Sequence, residues 1–145
     1  MASELYSRDI LRLAASHIHG DRLADADGTA EVRSPICGSR MEADVAIAPD
    51  GRLAAFAVRA NACALGQASA AVLRANAAGK SLADIEDIRT RVAQALVGDG
   101  AMPDDWEQLA ALASARDFPA RHAAILLPYD ALLAAIQNAR SSVDG

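Results

Sequence analysis

Apolar positions recur at helical spacing at the start of the chain, alternate with polar ones through its middle, and return to helical spacing in its second half. Behind Ser3, whose hydroxyl suits a helix N-cap, Leu5, Tyr6, Ile10, Leu13 and Ala14 form a stripe, so a first helix is expected to run to about Ser16. Gly20 suits the cap or turn that closes it. His17 and His19, two residues apart, cannot face the same way on a helix and read as solvated helix-end residues.

The middle is β. Asp25-Ala26-Asp27-Gly28 reads as a turn, and Thr29 to Ser34 as a short strand ending at Pro35. Met41, Ala43, Val45 and Ile47 alternate with Glu42 and Asp44, the period-two pattern of a strand with one buried face. Pro49-Asp50-Gly51 supplies turn chemistry, because proline presets a negative φ and glycine tolerates a positive one. Leu53 to Ala60 is then the return strand of an antiparallel hairpin.

Helical spacing resumes from about Leu65 to Ala78, with Leu65, Ala68, Val72 and Ala75 along one side and Gly79 as the stop. Ser81-Leu82-Ala83-Asp84 resembles a capping box with aspartate in the glutamate position, followed by a stripe of Ile85, Ile88, Val92 and Leu96. After the break at Gly98 to Pro103, a shorter helix is expected from Asp104 or Asp105, carrying Trp106, Leu109 and Leu112 toward the core. The last segment shows Ile125, Leu132, Leu133 and Ile136, with Pro128 expected to kink it or to start a new helical segment. Early strands and late helices give an α+β fold, a small three-stranded antiparallel sheet with helices packed on one face.

The length of 145 residues is enough for one domain spanning 1–145 with a core of its own. A net charge of −5 and a single lysine, Lys80, leave no basic patch for a phosphate backbone, so nucleic acid is not an expected partner. No stretch reaches the apolar length of a membrane span and the start lacks the features of a signal peptide, so neither a membrane nor secretion is expected, and the location is read as cytoplasmic.

Two cysteines without a secretory signal leave metal binding, thiol chemistry or burial as small apolar side chains. The strand map bears on the choice. Cys37 precedes the hairpin and Cys63 follows it, and in an antiparallel sheet those two loops lie at the same end. Two thiols distant in sequence are thereby expected to meet, in surroundings of glycine and alanine that suit a soft metal or an incoming persulfide.

In order and spacing, Pro35-Ile36-Cys37-Gly38, Met41, Pro49-Asp50-Gly51, Cys63, the small-residue helix with Ser69, and Gly79-Lys80-Ser81-Leu82 resemble the IscU/SufU/NifU family of iron–sulfur cluster assembly scaffolds. The stretch from Ile85 to Ala115 resembles the insertion of the SufU branch, and Phe118-Pro119-Ala120-Arg121 that branch's lead into its third cysteine. Here that cysteine is absent. Ala124 stands in its place, Ala123 where the family has histidine or lysine, and Ser39 where aspartate follows Cys-Gly. The histidine and proline motif usual near the family's first helix is also missing. His122 lies one residue early for a substitute ligand, a turn of about 100° on a helix, and reads as a helix-start histidine.

The resemblance implies a scaffold and not an enzyme. Its thiolates would accept sulfur delivered by a cysteine desulfurase and hold iron while a [2Fe-2S] cluster is assembled for acceptor proteins. Cys37 and Cys63 would be the ligands, half of the four thiolates such a cluster takes, and a homodimer would supply four. Zinc or iron held by the pair, with solvent or His122 completing a tetrahedron, is a second arrangement. Two further roles stay open: a SufU-like sulfur acceptor for the desulfurase, and a metal-free regulatory protein that keeps the scaffold fold.

Overall fold

The computed structural model describes residues 8–16, 22–34 and 38–144. Ser3, His17, His19, Gly20 and Cys37 lie outside the described residues. Helix α1 (Arg8–Ser16) is followed by three strands, β1 (Gly28–Arg33), β2 (Arg40–Ile47) and β3 (Leu53–Asn61). Helices α2 (Ala64–Asn76) and α3 (Leu82–Leu96) come next, then two 3-10 helices (Glu107–Asp117 and Pro119–Arg121) and α4 (His122–Asp144). No helix among the described residues is long and apolar enough to cross a membrane.

The sheet is antiparallel in the order β1-β2-β3. Alternation works as the residue pattern requires, with Met41, Ala43 and Val45 of β2 and Val58 and Ala60 of β3 buried on the inner face. That face packs against α4, on which Ala131, Leu132, Ala135 and Ile136 are buried. Helices α2 and α3 pack beside α4, and α1 packs on α2, so one core cluster runs from Ile10 to Ala139.

Gly28 opens β1 instead of ending the preceding turn, which falls at Ala24 and Asp25. The reason is α4. A Cβ at position 28 would fall on the Ala135 carbonyl oxygen and 2.6 Å from the Ala139 nitrogen, so the helix backbone lies directly on the strand. Asn138 Nδ2 fastens the same contact by donating to the Thr29 carbonyl at 2.7 Å.

Two other elements take forms that the residue pattern left open. The shorter helix expected from Asp104 or Asp105 begins at Glu107, runs to Asp117 and is wound as a 3-10 helix. Trp106, Leu109, Leu112 and Ala115 are all buried, and their spacing of three matches the three residues per turn of a 3-10 helix, which stacks them in one row. Trp106 stacks on Tyr129 with ring centroids 6.2 Å apart. Burial pushes the Tyr129 phenol up, and its hydroxyl finds no partner among the described residues. Pro128, expected to kink the last helix or begin a new segment, lies inside one continuous α4. Its missing N–H leaves the Ala124 carbonyl without the usual helical donor, and at the next carbonyl Ser69 Oγ of α2 donates to Ile125 at 2.6 Å.

The capping box at Ser81 is complete, with the Ser81 hydroxyl accepting from the Asp84 N–H and the Asp84 carboxylate accepting from the Ser81 N–H. Gly79 takes a φ of +80°, and the Gly79 N–H and Lys80 carbonyl bond to Leu53, tying the α2–α3 turn to the start of β3.

The sheet's outer face is covered at its hairpin end by residues 22–27. The Asp44 carboxylate there is fully buried and accepts from the Leu23 N–H at 3.0 Å and from Arg59 Nη1 at 2.8 Å. Asp27 accepts from the Ile47 N–H at 2.7 Å. Burial alone would raise the Asp44 carboxyl, but the Arg59 and Leu23 hydrogen bonds, with the charges of Arg59 and Arg22, outweigh it and hold it below the ordinary 3.8.

Gly28→Ala is expected to cost about 3 kcal/mol, the upper range for overpacking, read as a lower urea midpoint; a change inside about 0.5 kcal/mol would contradict the close helix–strand contact. Asp44 gives a pH signature. Its folded value is depressed, so its stabilisation is complete above the unfolded value of 3.8 and is lost as pH falls below that toward the lower folded value. Asp44→Asn should lose about 3 kcal/mol at neutral pH, because Arg59 is left without its main partner. It should also show a flatter fall in stability below pH 4 than the wild type; parallel acid limbs would refute this.

Candidate functional site

The β1–β2 and β3–α2 connections come to the same end of the sheet because Arg40 pairs with both Arg33 and Asn61. On the first connection, the Ser34 N–H donates to the Ser39 carbonyl and the Gly38 N–H to the Ser34 carbonyl, both at 2.9 Å. Gly38 has a φ of +72°, a conformation glycine reaches without a Cβ penalty. Cys37 is the residue before Gly38 and lies outside the described residues, so the structure locates its neighbour and not its thiol.

On the second connection Cys63 is fully described. It is the N-cap of α2, with extended angles of φ −65° and ψ 172°, and its side chain makes no cap hydrogen bond. Its carbonyl accepts the first helical bond from the Gln67 N–H at 3.0 Å. The thiol is free and half-exposed, packing on one side against the core. Gln67 holds the turn, since its amide nitrogen Nε2 donates to the Ala60 carbonyl at 3.0 Å and lies 3.4 Å from that of Ala62.

Gly66 sets how tightly this turn packs. A Cβ there would stand 2.7 Å from the Ala62 Cβ and 3.5 Å from the Ala124 carbonyl oxygen. The first turn of α2 therefore touches the first turn of α4 beside Cys63. Ala124 is fully buried at that junction and brings no ligand atom on its side chain.

His122 stands two residues before Ala124. It opens α4 with helical angles of φ −60° and ψ −39°, preceded by the 3-10 turn Pro119–Arg121. Its Nε2 lies 2.9 Å from the Ala115 carbonyl, and because a carbonyl can only accept, that nitrogen is the protonated one and is engaged in closing the 3-10 helix onto α4. Ser39 is buried and its carbonyl completes the bond to Ser34. Among the described residues no three histidine, cysteine or acidic side chains converge as a metal-holding group.

Gly66, Gln67 and Asn61 escaped the pattern of the residues. A glycine inside a helix of small residues was the one local sign of close approach. Gln67 carried no sign, because its role is a hydrogen bond across a turn whose path the tertiary fold sets.

Residues 5–138 match the family model of the NifU-like N terminal domain. A crystal structure of a nitrogen-fixing NifU-like protein (N-terminal) from Brucella abortus is similar with a TM-score of 0.89 and 30% identity, covering 97% of each chain. A candidate iron–sulfur cluster assembly scaffold protein for the SUF system from Fervidobacterium islandicum AW-1 shares the fold with a TM-score of 0.82 at 17% identity, covering 94% of this chain and 99% of that one. No curated protein matches significantly.

Gly66→Ala should push Ala62 away and loosen the Cys63 turn, costing about 2 kcal/mol and speeding alkylation of Cys63 measured in a Cys37→Ala background. Unchanged stability and alkylation would refute the close packing.

Proposed function

Because the chain belongs to the NifU-like N-terminal domain family, we propose that it is a scaffold for iron–sulfur cluster assembly, taking iron or a labile [2Fe-2S] cluster between Cys37 and Cys63. The observation that carries this reading is the Arg40–Asn61 register, which turns two loops distant in sequence toward one end of the sheet while the Cys63 thiol has no duty as a helix cap. A thiol unengaged among the described residues can be given, as thiolate, to a soft metal.

The site is open. One chain offers two of the four thiolates of a [2Fe-2S] cluster, Ala124 has no donor, and His122 Nε2 is bonded to Ala115. The remaining positions are filled from outside, by solvent, by another thiol, or by a second copy of the chain. Such incomplete enclosure suits cargo that has to leave, since closed sets of protein ligands belong to sites that retain their metal. Sulfur comes from a cysteine desulfurase, and acceptor proteins take the product.

Anaerobic incubation with ferrous iron, cysteine and a desulfurase should give visible sulfur-to-iron absorption in the wild type and only background in a Cys37→Ala, Cys63→Ala double variant. Zinc takes the same ligands without colour, having a filled d shell, so bound metal should be measured alongside in protein purified without oxygen. A wild type that stays colourless and iron-free overturns the reading.

A further inference from the structure

On the sheet's outer face, register aligns Arg33, Arg40 and Asn61 across the three strands at the cysteine end. All three face away from α4, because Met41 and Ala60 beside them are buried against the core. The next row holds Glu31, Glu42 and Arg59, and the row after it contains Asp44. Arg33 Nε pairs with Glu31 at 2.8 Å, whereas Arg59 spans Glu42 at 3.1 Å and Asp44 at 2.8 Å. Arg59 thereby takes two carboxylates, and Arg40 receives none among the described residues.

Arg40 is half-buried, stands directly across from another arginine, and makes no ion pair or hydrogen bond among the described residues; the Asn61 side chain makes none either. Like charges directly opposite on adjacent strands are destabilising. The arrangement therefore carries an electrostatic cost that a negative group placed over it would relieve. Residues 22–27 cover the hairpin end of this face at Asp44. The Arg33, Arg40 and Asn61 row, by contrast, borders the loops of Gly38 and Cys63. It spans two strand spacings, about 10 Å, along a pleated surface, a length that fits an acidic segment of a protein better than one small anion.

Resting on the scaffold reading above, we infer that this row is the docking surface for an acidic segment of the desulfurase that serves Cys63. One carboxylate is taken by the fork of Arg40, with the Asn61 amide as a further donor, and Arg33 meets a second. The docked segment supplies the negative charge that Glu42 and Asp44 give to Arg59 and withhold from Arg40.

Direct titration of the chain with a cysteine desulfurase, with no iron and no cysteine present, tests this surface separately from cluster formation. Arg40→Glu should weaken binding at least about tenfold, Arg33→Glu less, and both should flatten its salt dependence. Arg140→Glu, the same charge change on the exposed last turns of α4, serves as the control and should leave the affinity within about twofold. Equal affinity of wild type and Arg40→Glu, equal weakening by Arg140→Glu, or no binding by the wild type each overturns the docking surface. Colour formation from ferric iron and inorganic sulfide without desulfurase reports on the scaffold reading alone. Its loss in the wild type would sink that reading, and its persistence in folded Arg40→Glu alongside weakened desulfurase binding supports docking.

Discussion

At Gly28 the backbone of α4 lies on the backbone of β1 with no side chain between them, because a Cβ there would occupy the space of the Ala135 carbonyl and the Ala139 nitrogen. Helices on sheets ordinarily stand off by the length of their side chains. Here the contact is at backbone distance, and it fixes the height of α4 above the sheet at one end. The alanines along α4 follow from that height, since Ala131, Ala135 and Ala139 are the buried residues that such an approach admits. With the C-terminal half of the helix held by Gly28 and by Asn138 on Thr29, its N-terminal half is carried across β2 to the opposite end of the sheet.

There a second glycine performs a similar task between helices. Gly66 lets the first turn of α2 approach the Ala124 carbonyl, and Ser69, one turn further along, donates to Ile125. These contacts sit around the place where Pro128 withholds a helical N–H. The neighbouring helix packs against this stretch and bonds to the carbonyl next to the one that Pro128 leaves without a donor. The same junction decides the chemistry available at Cys63. Ala124 is part of the packed seam, His122 is drawn back to the Ala115 carbonyl, and the cysteine is left as a half-exposed thiol at the head of α2.

The two faces of the sheet divide the work. The inner face is apolar and closed. Among the described residues, 22–27 fold over the outer face at its hairpin end, and Asp44 ties that cover down by receiving both the Leu23 N–H and the Arg59 guanidinium. Spending Arg59 on that cover leaves Arg40 unneutralised at the other end, next to the cysteine-bearing connections. A packing requirement at one end of the face thus sets the electrostatics at the other.

Much of the fold was legible because the forces that specify it act over a few residues. Alternation from Met41 to Val45, the turn at Pro49-Asp50-Gly51 and the Ser81 and Asp84 capping box are local choices between backbone conformations, and each appears in the structure as its residues predict, while α2 stops at Asn76, shortly before Gly79. The same holds for the placement of Cys63, which follows from strand order alone. The 3-10 form of residues 107–117 was not legible, since the spacing of Leu109 and Leu112 also fits an α-helix and only the alignment of Trp106 and Ala115 with them in the core separates the two. Nor was the continuity of α4 through Pro128, where Ser69, more than fifty residues away in sequence, bonds to the Ile125 carbonyl. By itself the amino-acid order determined the strands, the helices and the two cysteine-bearing connections. The tertiary structure decided which polar groups those elements use up on one another, leaving Cys63 and Arg40 unengaged, because hydrogen bonds and ion pairs depend on distances that only packing establishes.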